Sequence, residues 1–170
     1  MKRATAVIVV IFSVLLTAFA TTAGIFIGLL RRRDEAFVRR FTRLQRDVLN
    51  PTVMKNAGEA GQNTAVIETV GRRTGNAYET PISPVPDADG WSVALVYGPQ
   101  TAWARNAIAA GEAVLRIDGA RHRVDGIEVV PIAETAFART QPGLMKLFRV
   151  EQAVRMRDAG VIEPEPHVTR

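Results

Sequence analysis

Hydrophobic and polar positions divide the chain near residue 31. Residues 4–30 form a run of 27 positions without one charged side chain. As an α-helix that run is about 40 Å long, against roughly 30 Å of bilayer hydrocarbon, so it can span with tilt. A cleaved signal peptide is the rival, since Ala18-Phe19-Ala20 imitates a small-residue cleavage site. A signal core is usually about 7–15 residues, however, and this run continues through Ile25, Phe26, Ile27, Leu29 and Leu30. The expectation is one N-terminal transmembrane helix over residues 1–30. Residues 31–50 then place Phe37, Phe41, Leu44 and Val48 at helical spacing among arginines. That pattern predicts a basic juxtamembrane helix, either lying along an anionic leaflet or packed on the domain.

Beyond Asn50-Pro51 the period changes. Residues 64–70 (TAVIETV) read as a strand, the 71–76 string (GRRTGN) as a turn, and residues 77–85 as a second strand. Pro81 and Pro84 demote its far half to a sheet edge. A turn at 86–90 precedes a third strand, 91–97, which Gly98-Pro99 breaks. Residues 101–110 read as a helix with Thr101 as cap and Gly111 as stop. Strands at 113–118 and 122–130 follow, broken at Gly119 and Gly126, then a helix from Pro131 through Thr140. Leu147, Val150 and Val154 share a helical face, so 144–159 is expected to be a last helix, and 161–170 a flexible Pro-rich tail. The fold class predicted is mainly β with flanking helices (α+β): a small antiparallel barrel over 51–160.

Charge changes the picture by its position. The net +5 comes from Lys2 and Arg3 in the first thirty residues and from seven arginines against three acids in 31–50. Residues 51–170 carry thirteen basic and fourteen acidic side chains, so no nucleic-acid partner is expected for the body. Arginines crowd the carboxy-terminal flank of the apolar run, and the positive-inside bias then puts the soluble domain in the cytoplasm. Ala20, Gly24 and Gly28 recur every four residues, a face through which two spans could form a homodimer. The absence of cysteine excludes disulfides and thiolate chemistry, and two histidines, His122 and His167, leave no multi-histidine metal site. Ser13, Ser83 and Ser92 are the only serines, and none lies in a nucleophile elbow.

Two strings could carry chemistry. In Gly71-Arg72-Arg73-Thr74-Gly75 the glycines free the backbone to aim N–H groups at one point, and two guanidinium groups add charge-assisted contacts. That turn suits a phosphate, although a basic hairpin turn without ligand satisfies the same string. The second string is Tyr97-Gly98 followed by Trp103-Ala104-Arg105-Asn106. Trp103 and Asn106 are three apart and share a helix face, so an indole wall and an amide could line one pocket, or Trp103 could be core.

Taken together, the stretches at 67–82 (IETVGRRTGNAYETPI), 93–98 (VALVYG) and 103–119 (WARNAIAAGEAVLRIDG) resemble the deazaflavin-dependent nitroreductase and quinone reductase family. The similarity covers roughly residues 64–131. It implies a split β-barrel of the flavin-reductase type, reduced coenzyme F420 ahead of FMN as cofactor, and a quinone, nitro compound or similar small-molecule acceptor. It also implies that Arg72, Arg73, Thr74 and Gly75 grasp phosphate, with Tyr97, Gly98, Trp103 and Asn106 beside the deazaflavin ring. No single catalytic side chain is implied. Ala77-Tyr78 stands where many members carry Pro-Arg. The competing expectation is a non-enzymatic, membrane-tethered binder of a fatty acid or isoprenoid-like lipid, the membrane lipid being a partner in either case.

Overall fold

The computed structural model describes residues 2–32, 35–44 and 50–162. Alternating apolar residues build the seven strands of one antiparallel sheet. These are β1 (Ala65–Val70), β2 (Ala77–Ile82), β3 (Val85–Asp87), β4 (Gly90–Ala94), β5 (Glu112–Ile117), β6 (Ala120–Pro131) and β7 (Gln152–Val161). Their spatial order is β2-β1-β5-β6-β7-β4-β3. The expected mainly β fold with flanking helices is present, but the sheet is not closed, β2 and β3 being its edges, so the small antiparallel barrel expected over 51–160 is an open, curled sheet. The prolines fit that placement, because Pro81 and Pro86 lie on the two edge strands, where a missing N–H costs no ladder bond.

Helices flank the sheet: α1 (Lys2–Arg31), α2 (Glu35–Leu44), α3 (Asn50–Val53), α4 (Ala102–Ala110), α5 (Phe137–Thr140) and α6 (Pro142–Phe148). Gly111 ends α4 with φ +75, and its N–H reaches the Ala107 and Ile108 carbonyls, as its sequence position predicts. Thr101 does not cap α4 with its side chain; the hydroxyl donates to the Gly98 carbonyl at 2.7 Å instead.

The inner face is one cluster. Ala65 and Ile67 from β1, Ile82 from β2, Val93 from β4, Ala113 and Leu115 from β5, Val124 and Ile127 from β6, and Val154 and Met156 from β7 pack with Trp103, Ala104 and Ala107 of α4. Strands from both halves of the sheet thus share one core, which requires strong curl of the sheet around α4. A smaller cluster, Phe137, Met145 and Val150, packs with Val85, Ala94, Val96, Ile132 and Phe148.

Three expectations need correction. The helix predicted over 144–159 stops at Phe148, where Arg149 turns into the left-handed region at φ 51, and the rest is β7. Val154 and Met156 face the core while Arg155 and Arg157 face out, and ladders to β4 and β6 on both sides satisfy the backbone. Tertiary pairing overrides the helical period there. The helix predicted from Pro131 is a 3₁₀ turn (Ile132–Glu134) followed by the four-residue α5. Gly126 does not end a strand; β6 runs through it with a bulge between Asp125 and Glu128, Gly126 lying at φ +57.

The N-terminal expectation has a separate outcome. α1 is one 30-residue helix along its backbone. Among the described residues no helix is long and apolar enough to cross a membrane, so the structure does not establish the transmembrane helix. The described side chains of α1 begin at Leu15, and those of residues 2–14 lie outside the described residues. Leu15, Leu16, Phe19 and Ile25 are exposed, as are Ala20 and Gly24 of the small-residue stripe. Phe26 stacks edge-on against Phe37 of α2 at 5.6 Å. Val48 and the tail from Glu163 lie outside the described residues.

Asp87 ties three elements together. Its side chain is 8% exposed. It accepts hydrogen bonds from the buried Ser92 hydroxyl and from the Ala88 and Ala136 N–H groups, with Arg155 Nε at 4.0 Å. Burial alone would raise its pKa, but the Ser92 hydroxyl, the two N–H groups and the Arg155 charge outweigh that and hold it below the ordinary carboxylate value. A depressed folded-state pKa means full stabilisation above the unfolded value of about 4, lost as pH falls through the folded value. Asp87→Asn should therefore cost about 1–2 kcal/mol at neutral pH, with the gap to wild type narrowing as pH falls below the ordinary carboxylate value of about 4. Urea unfolding followed by tryptophan fluorescence at several pH values measures this; a gap independent of pH would show that the charge is not what stabilises.

Candidate functional site

β1 and β2 are joined by the 71–76 turn. Gly71 N–H donates to the Asn76 carbonyl and Gly75 N–H to the Gly71 carbonyl, both at 2.8 Å. Gly75 sits at φ +70, a conformation that favours glycine. At Gly71 the demand is steric, because a Cβ would run into Thr74 Oγ1 and the Tyr78 ring. Thr74 Oγ1 is spent inside the turn, accepting from Asn76 N–H at 3.3 Å and lying 3.2 Å from the Tyr78 hydroxyl. Tyr78 is thus a brace for the turn.

The turn is fastened to α4 through one amide. Asn106 is buried, and its Oδ1 accepts from Arg72 Nη1 at 2.8 Å and from Arg72 N–H at 3.4 Å. The neighbouring Arg105 is exposed and donates to Gln100 Oε1 at 3.0 Å. Desolvation, then the positive charges of Arg105 and Arg73, push the Arg72 pKa below its ordinary value. Three guanidinium groups therefore share one neighbourhood, and among the described residues none has a carboxylate partner. Several arginines elsewhere on the sheet do: Arg121 with Glu68 at 2.7 Å, Arg157 with Asp125 at 2.8 Å, Arg116 with Glu79 at 3.5 Å. A cluster of like charges without counter-charge is electrostatically unfavourable alone and favourable around an anion.

The second string occupies the approach to α4. Gly98 lies at φ +84, its N–H bonded to the Leu95 carbonyl at 2.9 Å, and nothing stands within 4 Å of where a Cβ would be. Conformation, not crowding, demands the glycine. Tyr97 is half-buried. Trp103 is 7% exposed and belongs to the main core. It shares the inward face of α4 with Asn106, as the spacing predicts, but it packs as core beneath the helix.

Arg72, Arg73 and Asn106 are therefore brought together, with Thr74 and Gly75 shaping the turn. Sequence reasoning missed Arg105 and Gln100. Their signal was adjacency to Asn106 on α4, which became meaningful only once Asn106 was seen to touch the turn. It also missed Thr69, whose buried hydroxyl has no hydrogen-bond partner among the described residues. Thr69 alternates with Ala65 and Ile67 on the inner face, next to the turn.

No protein-family description matches the chain, and no curated protein does. Eight chains of solved structures match. One aligns at 22% identity over 58% of this chain and 73% of its own, with a TM-score of 0.37, a likeness too slight to carry an argument.

Removing the amide should loosen the turn, whereas removing an arginine that bonds to nothing among the described residues should not. Asn106→Ala is expected to cost about 1–2 kcal/mol of stability and Arg73→Ala less than about 0.5 kcal/mol. Equal losses in urea unfolding of the two variants would contradict this division of roles.

Proposed function

We propose that the protein is a membrane-anchored reductase of the split-barrel type. It uses reduced coenzyme F420 to reduce a quinone, nitro compound or similar small organic acceptor. The observation that carries the reading is the group Arg72 and Arg73 of the turn and Arg105 of α4, which has no carboxylate partner among the described residues. Such a group suits the anionic tail of the deazaflavin better than any neutral ligand. The resemblance of the 67–82, 93–98 and 103–119 strings to the deazaflavin-dependent family supports the same assignment.

The residues divide as follows under this reading. Arg72, Arg73 and Arg105 hold the tail, and the backbone of Thr74 and Gly75 shapes the turn around it. Asn106 aims Arg72. Tyr97 and Gly98 border the space for the ring, and Trp103 fixes α4 above the core. When bound, the cofactor supplies hydride chemistry, while these side chains bind, orient and exclude water. The curl that lets β2 and β4 contribute to one core fits a split barrel.

Anchoring is part of the proposal. The uncharged run of residues 4–30 and the exposed apolar side chains of α1 support a single-pass cell-membrane span, with the domain on the cytoplasmic side. Thr22 spends its hydroxyl on the Ala18 carbonyl at 2.8 Å, as a polar side chain in hydrocarbon must. A reporter fused after Arg170 should read as cytoplasmic, and alkaline carbonate should fail to extract the protein; a translocated reporter would sink the orientation.

Cofactor titration by visible absorbance tests the site. Replacing both Arg72 and Arg73 by Ala should weaken deazaflavin binding about a hundredfold or more while the domain stays folded, and Arg105→Ala about tenfold. Binding should also weaken as salt rises. Unchanged affinity in the double variant would dispose of the phosphate-turn assignment. Wild-type protein that never binds deazaflavin, yet leaves cells loaded with fatty acid or isoprenoid, would identify a lipid binder instead.

A further inference from the structure

Helix α6 carries apolar side chains on its outward side as well as its inward one. Met145 and Phe148, three apart, turn inward into the smaller core cluster. The outward side, which water ordinarily fills with charge, carries Leu144 and Leu147, 48% and 42% exposed. Lys146 on the same helix, Arg149 at its carboxy-terminal cap and Arg139 on the adjoining α5 are all exposed, and none has an ion-pair partner among the described residues. Two outward leucines with unpaired cations on the same and the adjoining helix are the composition of a surface that lies against anionic lipid.

Position strengthens the case. α6 and α2 both contact α1. The described side chains of α1 are exposed at Leu15, Leu16, Phe19 and Ile25 and half-buried from Phe26 to Leu29, at its carboxy-terminal end. α2 adds Arg40 and Arg43, also exposed.

We propose that α6 is a second membrane contact, which seats the domain against an anionic bilayer surface with Leu144 and Leu147 in the interface and Lys146, Arg149 and Arg139 at lipid phosphates. The proposal rests on the reading of α1 as a membrane anchor. A protein partner fits the patch less well. Two half-exposed leucines offer on the order of 150–200 Å², far below the roughly 1,200 Å² of a stable protein interface. For a domain already tethered to the bilayer, the contact is intramolecular in effect, and a small area suffices. The orientation also has a use: it holds one face of the domain at the lipid surface, where an apolar acceptor would be met.

The test uses the full chain with Leu147→Trp, reconstituted in vesicles of phosphatidylcholine and phosphatidylglycerol whose acyl chains carry bromine near the headgroup. On changing from unbrominated to brominated lipid the variant's tryptophan emission should fall by about a third, one tryptophan in three being within reach of bromine, whereas that of wild type, whose Trp91 and Trp103 report from the sheet and the core, should hardly change. Adding Lys146→Glu and Arg149→Glu should abolish the extra quenching. Vesicle flotation separates the outcomes. Unquenched emission in protein that floats with vesicles overturns the α6 contact and leaves the anchor standing. Blue-shifted but unquenched emission, with cross-links between copies, gives the face to a second copy of the chain and equally overturns the lipid assignment. Protein that does not float overturns the anchor and this proposal together.

Discussion

The inner face of the sheet must be covered, and α4 is the element that covers it. Trp103, Ala104 and Ala107 pack into the residues that β1, β2 and β4 to β7 send inward, and Ala104 and Ala107 are fully buried. Small residues at those two positions let the helix approach the strands closely, while the one large indole fills the space that remains. This packing holds α4 in place along the sheet. Asn106, two residues beyond Ala104, is then delivered to the end of β1, where Arg72 begins the turn. The arginine cluster is therefore a consequence of core packing: the turn supplies Arg72 and Arg73, but the helix decides where Arg105 stands.

The opposite half of the sheet depends on a polar device. β3 is three residues long and lies at an edge, so it has little ladder to hold it. Asp87 compensates by accepting from Ser92 on β4 and from the backbone before α5, with the Arg155 charge of β7 nearby. A carboxylate so fully hydrogen-bonded remains charged despite burial. Phe137 enters the smaller core through the segment that Asp87 anchors, and α6 packs on the same cluster. The outward face of α6 is thus set by a core that a single buried acid helps to assemble.

Legibility in the sequence followed how local each decision was. β1, β2 and α4 were readable because period, turn glycines and a helix stop at Gly111 all agreed within a few residues. β7 was not. Leu147, Val150 and Val154 match a helical face, and nothing in 144–159 alone shows that β4 and β6 wait on either side to pair with it. Gly126 misled for a related reason, since a bulge and a strand end use the same residue. The arginine turn was recognised from its string, but its counterpart on α4 was invisible: no spacing rule connects Arg72 to Asn106 across 34 residues. Trp103 was placed on the correct face, whereas core and pocket wall could be separated only by seeing what packs against it.

The choice of an amide at position 106 bears on how the turn could work. An aspartate there would orient Arg72 as well, and with a stronger bond. It would also neutralise the charge that the turn collects. Asn106 Oδ1 accepts from both the backbone and the side chain of Arg72, so the guanidinium is positioned by a neutral acceptor and keeps its full charge. Gln100 treats Arg105 in the same way. Two arginines held by amides in one neighbourhood, beside a third held by nothing among the described residues, are pre-organised and unneutralised. Repulsion among them opposes folding unless an anion arrives, and the same repulsion becomes attraction for that anion. Desolvation and the two neighbouring cations acting on Arg72 belong to that tension. Electrostatic strain of this kind would be relieved on binding, which favours a ligand whose negative charge is permanent, such as a phosphate ester, over one that must first lose a proton.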